Sequence, residues 1–202
     1  ATTYLLHRDF QSRQAFFDGG QVQFDRWVGG LMLQFVNDHQ LFNRPNRFLI
    51  GVDYGMQNDN RQRFNNNFGV RDTLNLSQIE RVQSVGPFFR NEWNMLDKLD
   101  LVMGGRWDWL HYQVKDAFKT DGNQSGSRTV AQASGSIGLV YHLTEQQQIY
   151  THVASVFEAP TTTELLNNPA GRGGFNPRLN AQTSLSNELG IRGNTAGFQY
   201  DT

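Results

Sequence analysis

The chain has 202 residues, of which 38% are hydrophobic and only 18% charged, with 12% aromatics, 20 glycines, no cysteine and a formal net charge of −1. The missing cysteines exclude disulfides, thiol catalysis and cysteine-based zinc sites. The balanced charge gives no pull toward nucleic acid, and no apolar run reaches the ~18 residues of a membrane-spanning helix.

The dominant period along the chain is two. Weak alternation at about 2–11 and 21–36 predicts the first two strands. FLIGVDYGM then sets Phe48, Ile50, Val52, Tyr54 and Met56 against Leu49, Gly51, Asp53 and Gly55. Side chains two apart share one face of a strand, so this is a wall with an apolar and a more polar side. Gln57–Ser77, rich in Asn, Arg and Asp, reads as a long loop. Val82–Met95 resumes alternation, and Met95-Leu96-Asp97 is predicted as a tight turn.

Lys98–Val114 carries the clearest pattern. Leu99, Leu101, Met103, Gly105, Trp107 and Trp109 form an uncharged face, while Asp100, Arg106 and Asp108 lie on the other. At about 3.4 Å per residue this strand spans roughly 57 Å, well beyond the ~9–11 residues that cross a bilayer. Lys115–Thr129 is a second predicted loop. SGSIGLVYHL, a turn at Thr144-Glu145-Gln146, and a strand at about 147–157 follow. Glu158–Thr183 is the third long loop, in which Thr161-x-x-Glu164 fits a capping box that starts a short helix, TTELLNN. SLSNELGIRG, a turn at Gly193-Asn194-Thr195 and a strand at 196–202 complete about nine strands.

Short turns at one end and long loops at the other predict an all-β, antiparallel up-and-down meander of long strands. It reads as part of a transmembrane β-barrel. Trp93, Trp107, Trp109, Tyr54 and Tyr141 occupy apolar faces where an interfacial aromatic girdle would sit. The bland reading of the same aromatics is the core of a soluble β-rich module that binds carbohydrate or another ligand. The chain is expected to be a single barrel segment over 1–202, cut at both ends, with neither plug domain nor signal peptide.

No catalytic or metal signature stands out. The five histidines are scattered; His142 and His152 are the one pair that a hairpin at 144–147 would bring near. GRGG at 171–174 lacks the Lys-Ser/Thr of a phosphate-binding loop. An outer-membrane barrel enzyme would need a facing nucleophile and base, and His111 with Ser125 is the best set available. No enzyme activity and no cofactor are therefore expected. Asp100, Asp108 and Glu188, near Arg106 and Arg192, read as structural ion pairs of a barrel wall. Arginines recur in the long loops, at Arg61, Arg63, Arg71, Arg128, Arg172 and Arg178. The first five are the candidate contacts for an anionic ligand arriving from outside.

The order of short motifs adds a family resemblance. SGSIGLVYHLTEQQQIYTHVASVFEAPTTTEL followed by GFNPRLNAQTSLSNELGIRG resembles the barrel of TonB-dependent outer-membrane receptors. The matching positions include Tyr141, Tyr150, Phe157, Pro160, Thr161, Glu164, Leu179, Glu188, Gly190 and Gly193. FLIGVDY and FFRNEWNMLDKLDLVMGGRWDW resemble the family's upstream strands, and the likeness covers roughly 21–202. It implies a barrel of about 22 strands with a plugged lumen in the bacterial outer membrane. It also implies uptake of a ferric siderophore or similar scarce nutrient. The partners it implies are outer-membrane lipid and, for the parent protein but not through this segment, TonB and the plug.

Overall fold

The computed structural model describes residues 1–15, 17, 19–169, 174–195 and 197–201, with the side chain of Thr195 left aside. Nine strands run in chain order through one antiparallel sheet: β1 Thr2–Arg13, β2 Gln21–Leu41, β3 Arg44–Asn67, β4 Val70–Leu96, β5 Leu99–Asp116, β6 Gly126–His142, β7 Gln147–Glu158, β8 Gln182–Thr195 and β9 Phe198–Asp201. Each strand pairs only with its sequence neighbours, which is the up-and-down meander that the alternation predicts.

The connections sort by end. One end carries the bends at 42–43, 97–98 and 143–146 and the link from β8 to β9; the other carries the links from β1 to β2, β3 to β4, β5 to β6 and β7 to β8. Phe42 and Asn43 both have positive φ (53° and 59°), the requirement of a two-residue type I′ turn, whose twist matches that of the flanking strands.

Two expectations are corrected. Gln57–Ser77 is no loop: β3 and β4 continue as an antiparallel ladder to a tight bend at Phe68-Gly69, with bulges beyond Arg63. Asn and Gln side chains bond across these strands, as in Asn75 Nδ2 to Asn65 Oδ1 (2.7 Å) between β4 and β3, and Gln23 Nε2 to Gln62 Oε1 (2.5 Å) between β2 and β3. A polar sequence therefore sustains strands where no hydrophobic alternation announces them. The turn read at Gly193–Thr195 is also displaced, because β8 runs on to Thr195 and the bend falls beyond it. Its cause is pairing on the other side: Gly193 and Asn194 stand opposite Tyr200 and Gln199 of β9.

The register separates two faces. Leu31, Tyr54, Val85, Trp109 and Ala131 stand in one row, and Phe35, Ile50 and Phe89 in another. These rows, with Ile137, Leu139 and Tyr141 of β6, form an apolar band about as tall as Leu99–Trp109 of β5, close to the ~9–11 residues of a membrane-spanning strand. The band is exposed: Trp107 is 51% accessible, Ile137 52% and Leu189 76%. An apolar stripe this large and continuous across a sheet marks contact with an apolar phase.

The opposite face is polar and internally paired. Arg106 bonds Asp108 (2.7 Å) on its own strand and Asp53 (2.5 Å) on β3. His142 meets Asp100 at 2.8 Å, Arg192 bonds Gln148, and the Tyr150 hydroxyl donates to Glu188 (2.9 Å). The structural ion pairing expected for this face is thus present for Asp108 and Arg106, while Asp100 hydrogen-bonds Asn94 and His142, and Glu188 and Arg192 have neutral partners. Gly86 makes the Arg106 cluster possible, since a Cβ there would collide with the guanidinium and the Asp108 carboxylate.

Candidate functional site: the chamber under the β7–β8 connection

Above the apolar band, the 159–181 connection folds back over the inner, polar face. Its anchor is helix α1, Thr162–Leu166. Five residues cannot hold a helix by propensity alone, and the capping box supplies what is missing. The Thr161 hydroxyl accepts from the Glu164 N–H (3.3 Å), and the Glu164 carboxylate accepts from the Thr161 N–H (2.8 Å) and hydroxyl (2.9 Å). Those bonds, the backbone one first, hold the Glu164 carboxyl below its ordinary pKa. Leu165 is fully buried (0% accessible) and Thr162 nearly so, which fixes the helix against the sheet.

The rest of the connection is latched from below. Arg128 on β6 donates to the backbone carbonyls of Asn176 and Leu179, and more distantly to Asn180 Oδ1 (3.4 Å). The Asn176 N–H donates to the Leu165 carbonyl (2.6 Å), tying the descending limb to the helix. The 117–125 connection joins the same assembly. Asp116, buried at the top of β5, accepts from the N–H groups of Phe118 and Gln124 (both 2.9 Å), and the Gly174 N–H reaches Gln124 Oε1 (3.3 Å).

Beneath this roof lies a polar chamber of about 520 Å³, lined by Arg61, Arg63, Asn75, Gln78, Glu80, Asp121, Gln124 and, from the roof, Thr163, Glu164 and Asn167. A second space of about 580 Å³ adjoins it, between Pro160–Thr163 and the inner side chains of β2–β5, including Arg26 and Tyr112. Tyr112 is 4% accessible; burial, and then the negative charge of Glu164, push its hydroxyl pKa up.

The predicted arginines fall into different roles. Arg61 and Arg63 both face the chamber. Arg61 lies 4.0 Å from buried Glu80, while Arg63 has no carboxylate partner among the described residues. Arg71 stands opposite Asn66, out of phase with those two, and stacks over Phe64 at 4.2 Å on the other side of the hairpin. Arg128 is engaged with the loop backbone, and Arg172 lies outside the described residues, as do the first three residues of GRGG. The sequence reading missed Glu80, Gln78 and Asn75 because all three belong to strand pairing that was read as loop or loop edge.

The residues once considered for chemistry do not converge. The register sets His142 opposite Gln148 and His152 opposite Gly138, so the two lie well apart along β7. His111 bonds Thr129 Oγ1 (3.0 Å), and Ser125 Oγ accepts from the Asp116 N–H (3.0 Å).

A polar inner wall, an apolar outer band and long structures at one rim define an outer-membrane-type β-barrel wall, the architecture of receptors and transporters. The family model "TonB dependent receptor-like, beta-barrel" matches residues 1–202, and the chain belongs to that family, one of receptors and transporters and not of enzymes. Solved structures share the fold at low identity. The siderophore receptor PiuA from Acinetobacter baumannii has 13% identity and a TM-score of 0.68, over 88% of this chain and 30% of that one. FpvA of P. aeruginosa, solved with bound pyoverdine and iron, has 13% identity and a TM-score of 0.70, over 96% and 28%. The copper transporter OprC has 16% identity and a TM-score of 0.65, over 88% and 29%. The chain thus spans under a third of each of these structures.

Proposed function

We propose that these residues are a single barrel segment of an outer-membrane receptor. In this reading the receptor takes up a scarce nutrient by TonB-dependent transport, and a ferric siderophore is the substrate class. The work is binding and passage, not bond chemistry. Ligand arrives from the cell exterior and meets the chamber under the 159–181 connection; TonB and the plug would act through other parts of the receptor. The observation that carries the reading is Arg63, a guanidinium with no carboxylate partner among the described residues, facing a roofed polar chamber beside the Arg61–Glu80 pair. Elsewhere on the inner wall Arg26 and Arg106 are neutralised by carboxylates, while Arg192 bonds the neutral Gln148 and Arg8 stands over Phe10 and Phe24, so Arg63 is the free guanidinium that lies under the roof. Siderophore receptors recur among the fold's relatives, which favours that substrate class, while the copper transporter among them shows that the fold does not dictate it.

The test is ferric-siderophore binding and uptake by the whole receptor carrying R61Q/R63Q. Loss of charge-assisted contacts should weaken binding by roughly tenfold or more, with the protein still present at the cell surface. Binding equal to wild type would overturn the assignment of the chamber; absence of the wild-type protein from the outer membrane would overturn the receptor reading itself.

A further inference from the structure

The charges that line the chamber do not fit a purely anionic guest. Arg61 and Arg63 face it together with three carboxylates, those of Glu80, Asp121 and Glu164. The acids differ in how far the protein already engages them. Glu164 is held in the helix cap by the Thr161 N–H and hydroxyl. Asp121, exposed on the 117–125 connection, makes no hydrogen bond or ion pair among the described residues.

Glu80 is the most telling of the three. It faces inward on β4, opposite Asp59, and is 3% accessible. Gln78 Nε2 donates to its Oε1 at 2.6 Å. Arg61 Nε lies 4.0 Å from that same oxygen, too far for a hydrogen bond. Oε2 accepts from no group among the described residues. A carboxylate taken this far out of water needs its lone pairs answered by donors, and positive charge answers them best.

Across the ladder the same problem is solved within the protein. Asp59 is as deeply buried, and both its oxygens are held by Arg26, with a third bond from Gln57. The wall therefore satisfies Asp59 and leaves Glu80 half satisfied. Glu80 also stands where the two spaces under the roof meet, since Arg61, Glu80 and Thr163 line both. An unanswered buried acceptor at that boundary calls for an explanation outside the protein.

We infer that Glu80 is a specificity-determining residue of the chamber: it accepts a protonated amine of the ligand, with Asp121 contributing from the 117–125 connection, while Arg63 takes the ligand's metal-binding oxygens. The substrate class narrows accordingly, from ferric siderophores at large to ferric chelates that carry a free ammonium group. A fully anionic chelate could reach Arg63 only by bringing negative charge against two unanswered carboxylates, and like-charge contact of that kind selects against it. The inference rests on the siderophore reading above and adds to it the sign of the second contact.

The test compares two ferric trihydroxamates that share one metal core. One is ferrioxamine B, whose chain ends in an ammonium group; the other is its N-acetyl derivative, which lacks that charge. A trianionic ferric tris-catecholate is measured beside them. Binding to the whole receptor in detergent is read by isothermal titration calorimetry. Wild type should bind the ammonium form roughly tenfold or more tighter than the acetylated one, and the tris-catecholate more weakly than either. In E80Q, which keeps the length of the side chain and an acceptor for Gln78, the ratio of the two trihydroxamate dissociation constants should fall toward one. D121N, at an exposed position, should lower that ratio by roughly threefold, as loss of an exposed ion pair does. The wild-type comparison needs no variant and stands even where E80Q does not fold. Equal binding of the two trihydroxamates by wild type, preference for the tris-catecholate, or a ratio that a folded E80Q leaves unchanged would overturn the proposal and leave the siderophore reading standing. Failure of wild type to bind any of the three chelates would overturn both.

Discussion

Two regions rise above the apolar band, and they are built on opposite principles. The β3–β4 hairpin gains its height by continuing the ladder: Gln57–Asn67 and Val70–Val82 stay in strand pairing to the tip, and β2 (up to Phe64) and β5 (from Gln78) take the backbone groups that point away from the hairpin. The β7–β8 connection leaves the ladder at Glu158 and returns at Gln182, and it is held by a few side-chain devices: the Thr161–Glu164 box, the Arg128 latch and buried Leu165. The hairpin's order is distributed over many bonds, while that of the connection is concentrated in a few residues. Local opening should follow that division, and a ligand-responsive element is drawn from the concentrated kind.

The largest effect is expected where the hairpin leaves the membrane level. Asp59 is fully buried (0% accessible), paired with Arg26 at 2.5 and 2.8 Å, and accepts from Gln57 Nε2 (3.1 Å). D59A strands the Arg26 guanidinium, and breaking such a pair costs about 3–5 kcal/mol. Thermal unfolding in detergent should show the loss as a lower midpoint. A midpoint within error of wild type would mean that the base of the hairpin is not held by this pair, and the contrast between the two regions would weaken.

R128M should act on the other region alone. It removes two charge-assisted bonds to loop carbonyls, a loss of about 2 kcal/mol confined to local opening. Trypsin should then nick at Arg178 roughly tenfold or more faster, while the arginines of the paired hairpin, such as Arg61 and Arg81, stay protected. Equal acceleration at both places would show that the regions open together.

How much of this was legible in the sequence follows from the same physics. Apolar alternation on β5 and β6 announces strands because one face meets an apolar phase, and the capping box announces α1 because a specific spacing satisfies specific N–H groups. Asn65, Asn66, Asn67 and Asn75 announce nothing: above the membrane neither face of the hairpin needs to be apolar, so period two vanishes while the ladder persists. The chamber was half legible for that reason. Arg61 and Arg63 attracted attention as loop cations, but Gln78 and Glu80, whose side chains bond at 2.6 Å, become wall residues only once the register is known. The structure gives Arg128 a task inside the protein, a role that its position in a polar stretch could not reveal.

The smallest effect is the most selective for the connection. Glu164 has its pKa lowered by the Thr161 N–H first and the Thr161 hydroxyl second. A carboxyl depressed in the folded state stabilises above its unfolded pKa and loses that contribution as pH falls through the folded one. The box should therefore be intact at neutral pH and weaken below the ordinary glutamate value of about 4.3. The measurement is hydrogen exchange, corrected for intrinsic rates, at the Leu165 and Asn176 amides, which donate to the Thr161 and Leu165 carbonyls. Their protection should fall on acidification, while that of Asn58 and Asn60 in the hairpin stays level. T161A should lower protection at Leu165 roughly fivefold at neutral pH, as loss of an N-cap does. E164Q should remove the acid step, since its amide cannot titrate. An acid step that persists in E164Q would show that the pH response does not come from the Glu164 carboxylate, and the order of this region would then not be set by the helix cap.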